Sequence, residues 1–140
     1  TPHPGEAGRL LAQTTTAVQQ DRFSAVRQLV VRYRGVIVLK GAGSLIAADA
    51  EPLRLCETGN PGMATAGMGD VLGGVIAALL AQGLPHTRAA EVGVWAHARA
   101  YFAVSFSSSS RGTTLLTKLL HSFISSAVKG RPVNSISIAI

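Results

Sequence analysis

Hydrophobic and polar positions follow two different periods along this chain. In residues 20–33, Phe23, Val26, Val30 and Tyr33 recur at helical spacing with Arg and Gln between them, which predicts an amphipathic helix. Thr14–Thr16 offer side chains to cap its start, and Gly35 is placed to stop it. Ahead of it, Pro2 and Pro4 each fix their own φ and restrain the residue before them. Thr1–Glu6 is therefore expected to be rigid and extended, with a helix following through Arg9–Gln13. Val36–Leu39 is a short, uninterrupted apolar run, the pattern of a buried strand in a parallel sheet. Lys40-Gly41-Ala42-Gly43-Ser44 comes directly after it. Leu45–Ala47 predicts a second strand, returning through Pro52 to Leu53–Cys56.

A Gly-rich loop, Thr58–Asp70, is too long for a simple turn. It runs into a predicted helix, Val71–Gln82, with Leu72, Val75, Ile76, Leu79 and Leu80 on one face. Gly83 and Pro85 mark its end. An Ala-rich helix over residues 87–104 carries Trp95, His97 and Tyr101. Helices alternating with short apolar strands argue for an α/β layered fold. After Val104 the character changes to a serine run, Ser107–Ser110. Leu115–Val128 can form an amphipathic helix, and Val133–Ile140 alternates like a strand without an obvious place in the fold.

Composition adds limits. With 47% apolar and 14% charged residues among 140, a sizeable core can form. One cysteine, Cys56, excludes an intrachain disulfide framework and a Cys-rich zinc site; it is expected to be a buried, inert thiol. The longest apolar run, Val71–Leu84, is too short and too broken to span a membrane. No signal peptide is visible, and a chain opening on Thr1 is expected to continue upstream. The net charge of +6 first suggests a nucleic-acid or membrane partner. Its distribution argues against both: residues 1–91 carry a net +1, and residues 92–140, with no acid, carry +5. The five basic residues of that tail are spread out and form no RNA-binding motif.

Two segments carry candidate chemistry. Gly67-Met68-Gly69-Asp70 leads straight into an apolar helix. A helix start presents unpaired N–H groups and the positive end of the dipole, and glycines let a phosphate approach. Gly67, Met68 and Gly69 thus form a candidate anion hole. Asp70 at its mouth can take a proton from a hydroxyl attacking a phosphoryl group, or act merely as a helix cap. Lys40-Gly41-Ala42-Gly43 ends a predicted buried strand, where open α/β sheets bind ligands. It lacks the order of a Walker A loop and can equally be a glycine hairpin with a solvent-exposed lysine. His3 is held between prolines and, alone, reads as structural. His97 and Trp95 read as packing, and His86 and His121 have no recognisable partners. There is no metal-ligand spacing and no nucleophile elbow.

Thr1–Glu6 (TPHPGE), Leu39–Ser44 (LKGAGS) and Gly59–Gly74 (GNPGMATAGMGDVLGG), in that order, resemble the ADP-dependent NAD(P)H-hydrate dehydratase family. The resemblance runs from Thr1 to about Val104. It implies a ribokinase-like, three-layer α/β/α fold of which this chain is the C-terminal half, with residues 105–140 a divergent or frame-shifted tail. It implies repair of hydrated nicotinamide cofactors, NADHX and NADPHX, by ADP-driven dehydration through phosphoryl transfer and elimination. By the same resemblance, His3 and Asp70 contact the hydrate, and Lys40, Gly41, Ala42, Gly43, Ser44 and Gly69 bind the nucleotide. The resemblance further implies Mg²⁺ with the nucleotide, an NAD(P)HX epimerase domain fused or co-acting, and a cytoplasmic homo-oligomer. Two departures stand out. Ala66-Gly67 replaces the family's Gly-Gly, and Lys118 stands near where the family ending has an Asp. The other readings are a small-molecule kinase of the same fold, a nucleic-acid-binding protein using the basic tail, and a piece that is inert on its own.

Overall fold

A computed structural model describes residues 1–59, 63 and 66–106, together with the short strand Ser137–Ile138. Its elements, in chain order, are helices α1 (Pro4–Leu11), α2 (Thr15–Gln20) and α3 (Arg22–Tyr33), strands β1 (Ile37–Leu39), β2 (Ser44–Ala47) and β3 (Arg54–Cys56), helices α4 (Met68–Ala81) and α5 (His86–Phe106), and strand β4 (Ser137–Ile138). They fall into two compact units, one holding α1 to β3 with β4, the other holding α4 and α5.

In the first unit, helix α1 starts earlier than its sequence suggests. Pro4 opens it, His3 caps it, and Glu6 closes a capping box. Proline suits the first helical turn because its missing N–H has no partner there anyway. Thr14 caps α2 by accepting the Ala17 N–H at 3.1 Å, so the threonine run caps a short separate helix rather than the start of the helix over residues 20–33. Asp21 caps α3 through the Ser24 N–H at 2.9 Å. Helix α3 ends at Arg34, and Gly35 follows at φ 77°.

The sheet corrects the parallel expectation for β1. The strand order is β1-β2-β3-β4 and every pair is antiparallel. The reason is chain length. A parallel neighbour needs a crossover of about a dozen residues, and the link from Leu39 to Ser44 permits only a hairpin. Leu39 faces Leu45, Val38 faces Ile46 and Leu45 faces Leu55. Of the alternating C-terminal segment, Ser137 and Ile138 are described and form β4, pairing with Leu55 and Arg54 respectively. Ala7, Val18, Val26, Leu29, Leu39 and Leu45 form the core of this unit, all essentially inaccessible. Cys56 is a buried free thiol, as expected.

In the second unit, α4 ends on a Schellman motif. The Gly83 N–H donates to Leu80 O and the Leu84 N–H to Leu79 O, with Gly83 at φ 85°. Helices α4 and α5 pack through Leu79, Leu84, Ala89 and Val92. A Cβ at Gly93 would lie 2.6 Å from Ile76 Cγ1, so glycine sets how closely these helices approach. Leu80, expected on the apolar face, is exposed, because Leu72 and Leu79 point the buried stripe elsewhere. No helix among the described residues is long and apolar enough to cross a membrane. The serine run, the Leu115–Val128 helix and the segment around Lys118 lie outside the described residues.

Two outcomes follow for stability. Leu29→Ala empties a fully buried position and is expected to cost about 2–5 kcal/mol in chemical denaturation. Val31→Ala, at a position 75% exposed, should change stability by less than about 0.5 kcal/mol; equal losses would contradict this core. Glu6 is held below the usual carboxylate range, chiefly because it accepts the His3 backbone N–H, with Lys40 and Arg9 adding positive charge. A depressed folded-state pKa contributes stability above the ordinary carboxylate range, which is lost as pH falls through the lowered value. Glu6→Gln should therefore lower the melting temperature at neutral pH, and the gap to the parent should close on acidification. A gap that persists in acid would show that the charge is not responsible.

Candidate functional site

The first unit builds a cluster around the β1–β2 hairpin. The Lys40 N–H donates to Pro2 O at 2.8 Å, which ties the Thr1–Glu6 segment to the end of β1. His3 Nδ1 accepts the Gly5 and Glu6 N–H groups at 3.1 and 3.3 Å. That leaves the ring proton on Nε2, which lies 3.2 Å from Glu6 Oε1. Glu6 Oε2 accepts the His3 N–H at 2.7 Å and sits 3.8 Å from Lys40 Nζ. One carboxylate thus orients the imidazole and restrains the lysine. His3 is a helix cap, so the structural reading holds for its Nδ1 face, while half the side chain remains exposed.

Lys40 is largely covered, with a quarter of its side chain exposed, which corrects the picture of a solvated hairpin lysine. Gly41 and Gly43 take φ 151° and 69°, left-handed values that side chains rarely adopt. A Cβ on Gly43 would also lie 2.8 Å from Leu55 Cδ1. Ala42 is exposed at the turn, and Ser44 opens β2 opposite Cys56. Beneath the turn lies Arg22, which the sequence does not single out. Its Nη1 donates to Ala42 O at 2.6 Å, and its Nη2 to Gly43 O at 2.7 Å and Leu39 O at 3.2 Å. As one of several arginines on an amphipathic helix, it reads in sequence as part of a solvated face. Its partners are carbonyls 17 to 21 residues away, which no spacing rule reports.

The second unit holds Gly67, Met68, Gly69 and Asp70. Gly67 caps α4 at φ 85°, without a side-chain cap. The helix therefore starts three residues earlier than predicted, and Asp70 is a first-turn residue rather than the cap. Its N–H donates to Gly67 O at 3.1 Å, as does that of Val71. Among the described residues, the amides left for an anion are those ahead of Asp70, on Gly67, Met68 and Gly69. Asp70 is exposed, and its charge complements the helix dipole. Residues 60–62 and 64–65 of the preceding loop lie outside the described residues. Among the described residues, no group of His, Cys, Asp or Glu is arranged to hold a metal ion.

Comparison with known proteins extends this picture. The family profile described as NAD(P)H-hydrate dehydratase, of the carbohydrate-kinase type, matches residues 1–125. A bifunctional NAD(P)H-hydrate repair enzyme of Vibrio cholerae is 58% identical over 100 residues, covering 71% of this chain and 20% of that protein. An ADP-dependent (S)-NAD(P)H-hydrate dehydratase of Neisseria meningitidis is 50% identical over 100 residues, covering 71% of this chain and 34% of that protein. Among solved structures, an ADP/ATP-dependent NAD(P)H-hydrate dehydratase from Bacillus subtilis, co-crystallised with ATP and Mg²⁺, superposes with a TM-score of 0.72 at 29% identity. That match covers 92% of this chain and 46% of the other. The chain thus spans between a fifth and a half of the length of these relatives. Profile, relatives and fold agree, and the chain belongs to the NAD(P)H-hydrate dehydratase family of carbohydrate-kinase-like α/β domains.

Proposed function

We propose that the protein carrying this chain repairs NADHX and NADPHX by ADP-driven dehydration. The observation that carries the reading is the tie between two motifs in one unit: the Lys40 N–H on Pro2 O, with Glu6 joining His3 and Lys40. It sets an oriented imidazole beside a lysine-bearing glycine hairpin, groups suited to a hydroxylated ring and to a phosphate.

In this reading the hairpin Lys40–Ser44 and Gly69 bind the nucleotide. The amides of Gly67, Met68 and Gly69 stabilise charge on the transferred phosphoryl group. His3 binds the hydrate. Asp70 takes the proton of the hydrate hydroxyl as its oxygen attacks the β-phosphorus of ADP, and the bond to AMP breaks. The phosphorylated hydroxyl then leaves as phosphate, a ring proton is lost, and the double bond of NADH or NADPH is restored. The hairpin and helix-start donors suit phosphate oxygens rather than a metal, and no metal ligand set occurs among the described residues. Mg²⁺ would arrive bound to the nucleotide held by Lys40–Ser44 and Gly69, where it would neutralise phosphate charge. The bifunctional relatives support an epimerase domain, fused or co-acting, and a cytoplasmic homo-oligomer completes the proposed reading.

An assay with NADHX and ADP, following the return of NADH absorbance, tests the reaction. Recovery is expected; phosphorylation of an alcohol by ATP without recovery would favour a small-molecule kinase. Asp70→Asn is expected to lower kcat by about 10²–10⁴-fold with the melting temperature unchanged. A loss below about tenfold would remove Asp70 as the base. Lys40→Met should raise KM for ADP by about tenfold or more while leaving the KM for the hydrate nearly constant; a larger effect on the hydrate would misplace the lysine.

A further inference from the structure

We propose that Arg22 is a positioning residue that preforms the Lys40–Ser44 hairpin for its nucleotide. A guanidinium offers several donors in a fixed plane and accepts none. Arg22 uses this plane to gather the carbonyls of Leu39, Ala42 and Gly43, within 2.6–3.2 Å. Three carbonyls drawn to one cation turn their oxygens toward α3. The amides of Gly41, Ala42 and Gly43 are then free to face away from it, toward a ligand, while that of Lys40 is taken by Pro2 O. The positive charge beneath the turn also favours an anion above it.

Local costs show that Arg22 serves the hairpin rather than its own helix. It is the first residue of α3, where a cation opposes the positive end of the helix dipole; the Asp21 cap beside it offsets part of that cost, and no further acid lies in the first turn. Its Nε is buried without a hydrogen-bond partner. Burial also disfavours its charged form. A residue placed against its own local preferences marks a functional constraint. Gly41 belongs to the same device, because a Cβ there would lie 2.9 Å from Arg22 Nη2. Lysine cannot replace this geometry, since one ammonium on a flexible stem does not span three carbonyls.

The functional half of this proposal rests on the nucleotide-binding reading above, and the test separates the two. In the full protein, Arg22→Met and Arg22→Lys are compared with the parent by hydrogen exchange, calorimetric ADP binding and KM for the hydrate. Exchange across residues 40–44 should accelerate by about tenfold or more in Arg22→Met, with α4 and α5 unchanged. ADP binding should weaken by about tenfold or more, with the hydrate KM within about twofold. Arg22→Lys should fall between the parent and Arg22→Met in both, and it decides alone if Arg22→Met does not fold. Unchanged exchange at the hairpin in the variants that fold overturns the proposal. So does a uniform rise across the unit with equal losses for ADP and hydrate, which would show a general packing role. If the parent itself fails to bind ADP, the nucleotide reading falls, while the exchange measurement still decides whether Arg22 holds the hairpin.

Discussion

Everything in the first unit is arranged around one tight constraint, the reversal of the chain between Leu39 and Ser44. The turn must leave a buried strand and re-enter one beside it, so its own backbone groups need partners outside the sheet. Arg22 supplies donors to three of its carbonyls, and Pro2 O accepts the Lys40 N–H. Two segments distant in sequence, the start of the chain and the first turn of α3, are thereby fixed against the same hairpin. The bond to Ala42 O is exposed and those to Leu39 O and Gly43 O are half-buried, so these contacts fix the shape of the turn rather than rescue buried groups.

The same contacts divide the work among charges. Glu6 is the one acid of the cluster. It caps α1, orients His3 and restrains Lys40, and that load keeps it ionised below the usual carboxylate range. Arg22 lies under the hairpin and Lys40 beside it, so two cations flank glycines whose backbone can approach an anion closely. In the second unit α4 starts at Gly67 without a side-chain cap, so its start presents backbone amides and the helix dipole rather than cations. The chemistry proposed for the family needs both kinds of stabilisation, one for the bound nucleotide and one for the group in transfer.

Much of this is legible in the sequence where the cause is local. Thr14, Gly35 and Gly83 punctuate their helices as their side chains or left-handed φ require. In α3 the spacing places Val26 and Val30 correctly in the core, whereas Phe23 and Tyr33 of the same series are exposed. The glycines of the hairpin and of the α4 start point to close backbone approach by residue type alone. Features that depend on distant partners are not legible in this way. His3 rarely serves as a cap, so residue preferences place the start of α1 too late. The β1 pairing is decided by the shortness of its link, not by the apolar run that suggests a parallel sheet. Arg22 and Glu6 act through contacts across the fold or through a paired cap, and neither leaves a periodic signal. Val31, Phe23 and Leu80 are apolar yet exposed, which spacing alone does not reveal.

The central claim is the proposal that nucleotide phosphates bind at the glycine hairpin of the first unit, with the α4 start of the second as an anion site of its own. Amide chemical-shift mapping of the full protein during ADP titration tests it most directly. The account expects the largest saturable shifts on Gly41–Ser44 and on Gly67–Asp70, and small ones along the exposed face of α3. Shifts centred on α3, with the hairpin and helix-start amides unmoved at saturation, would contradict it.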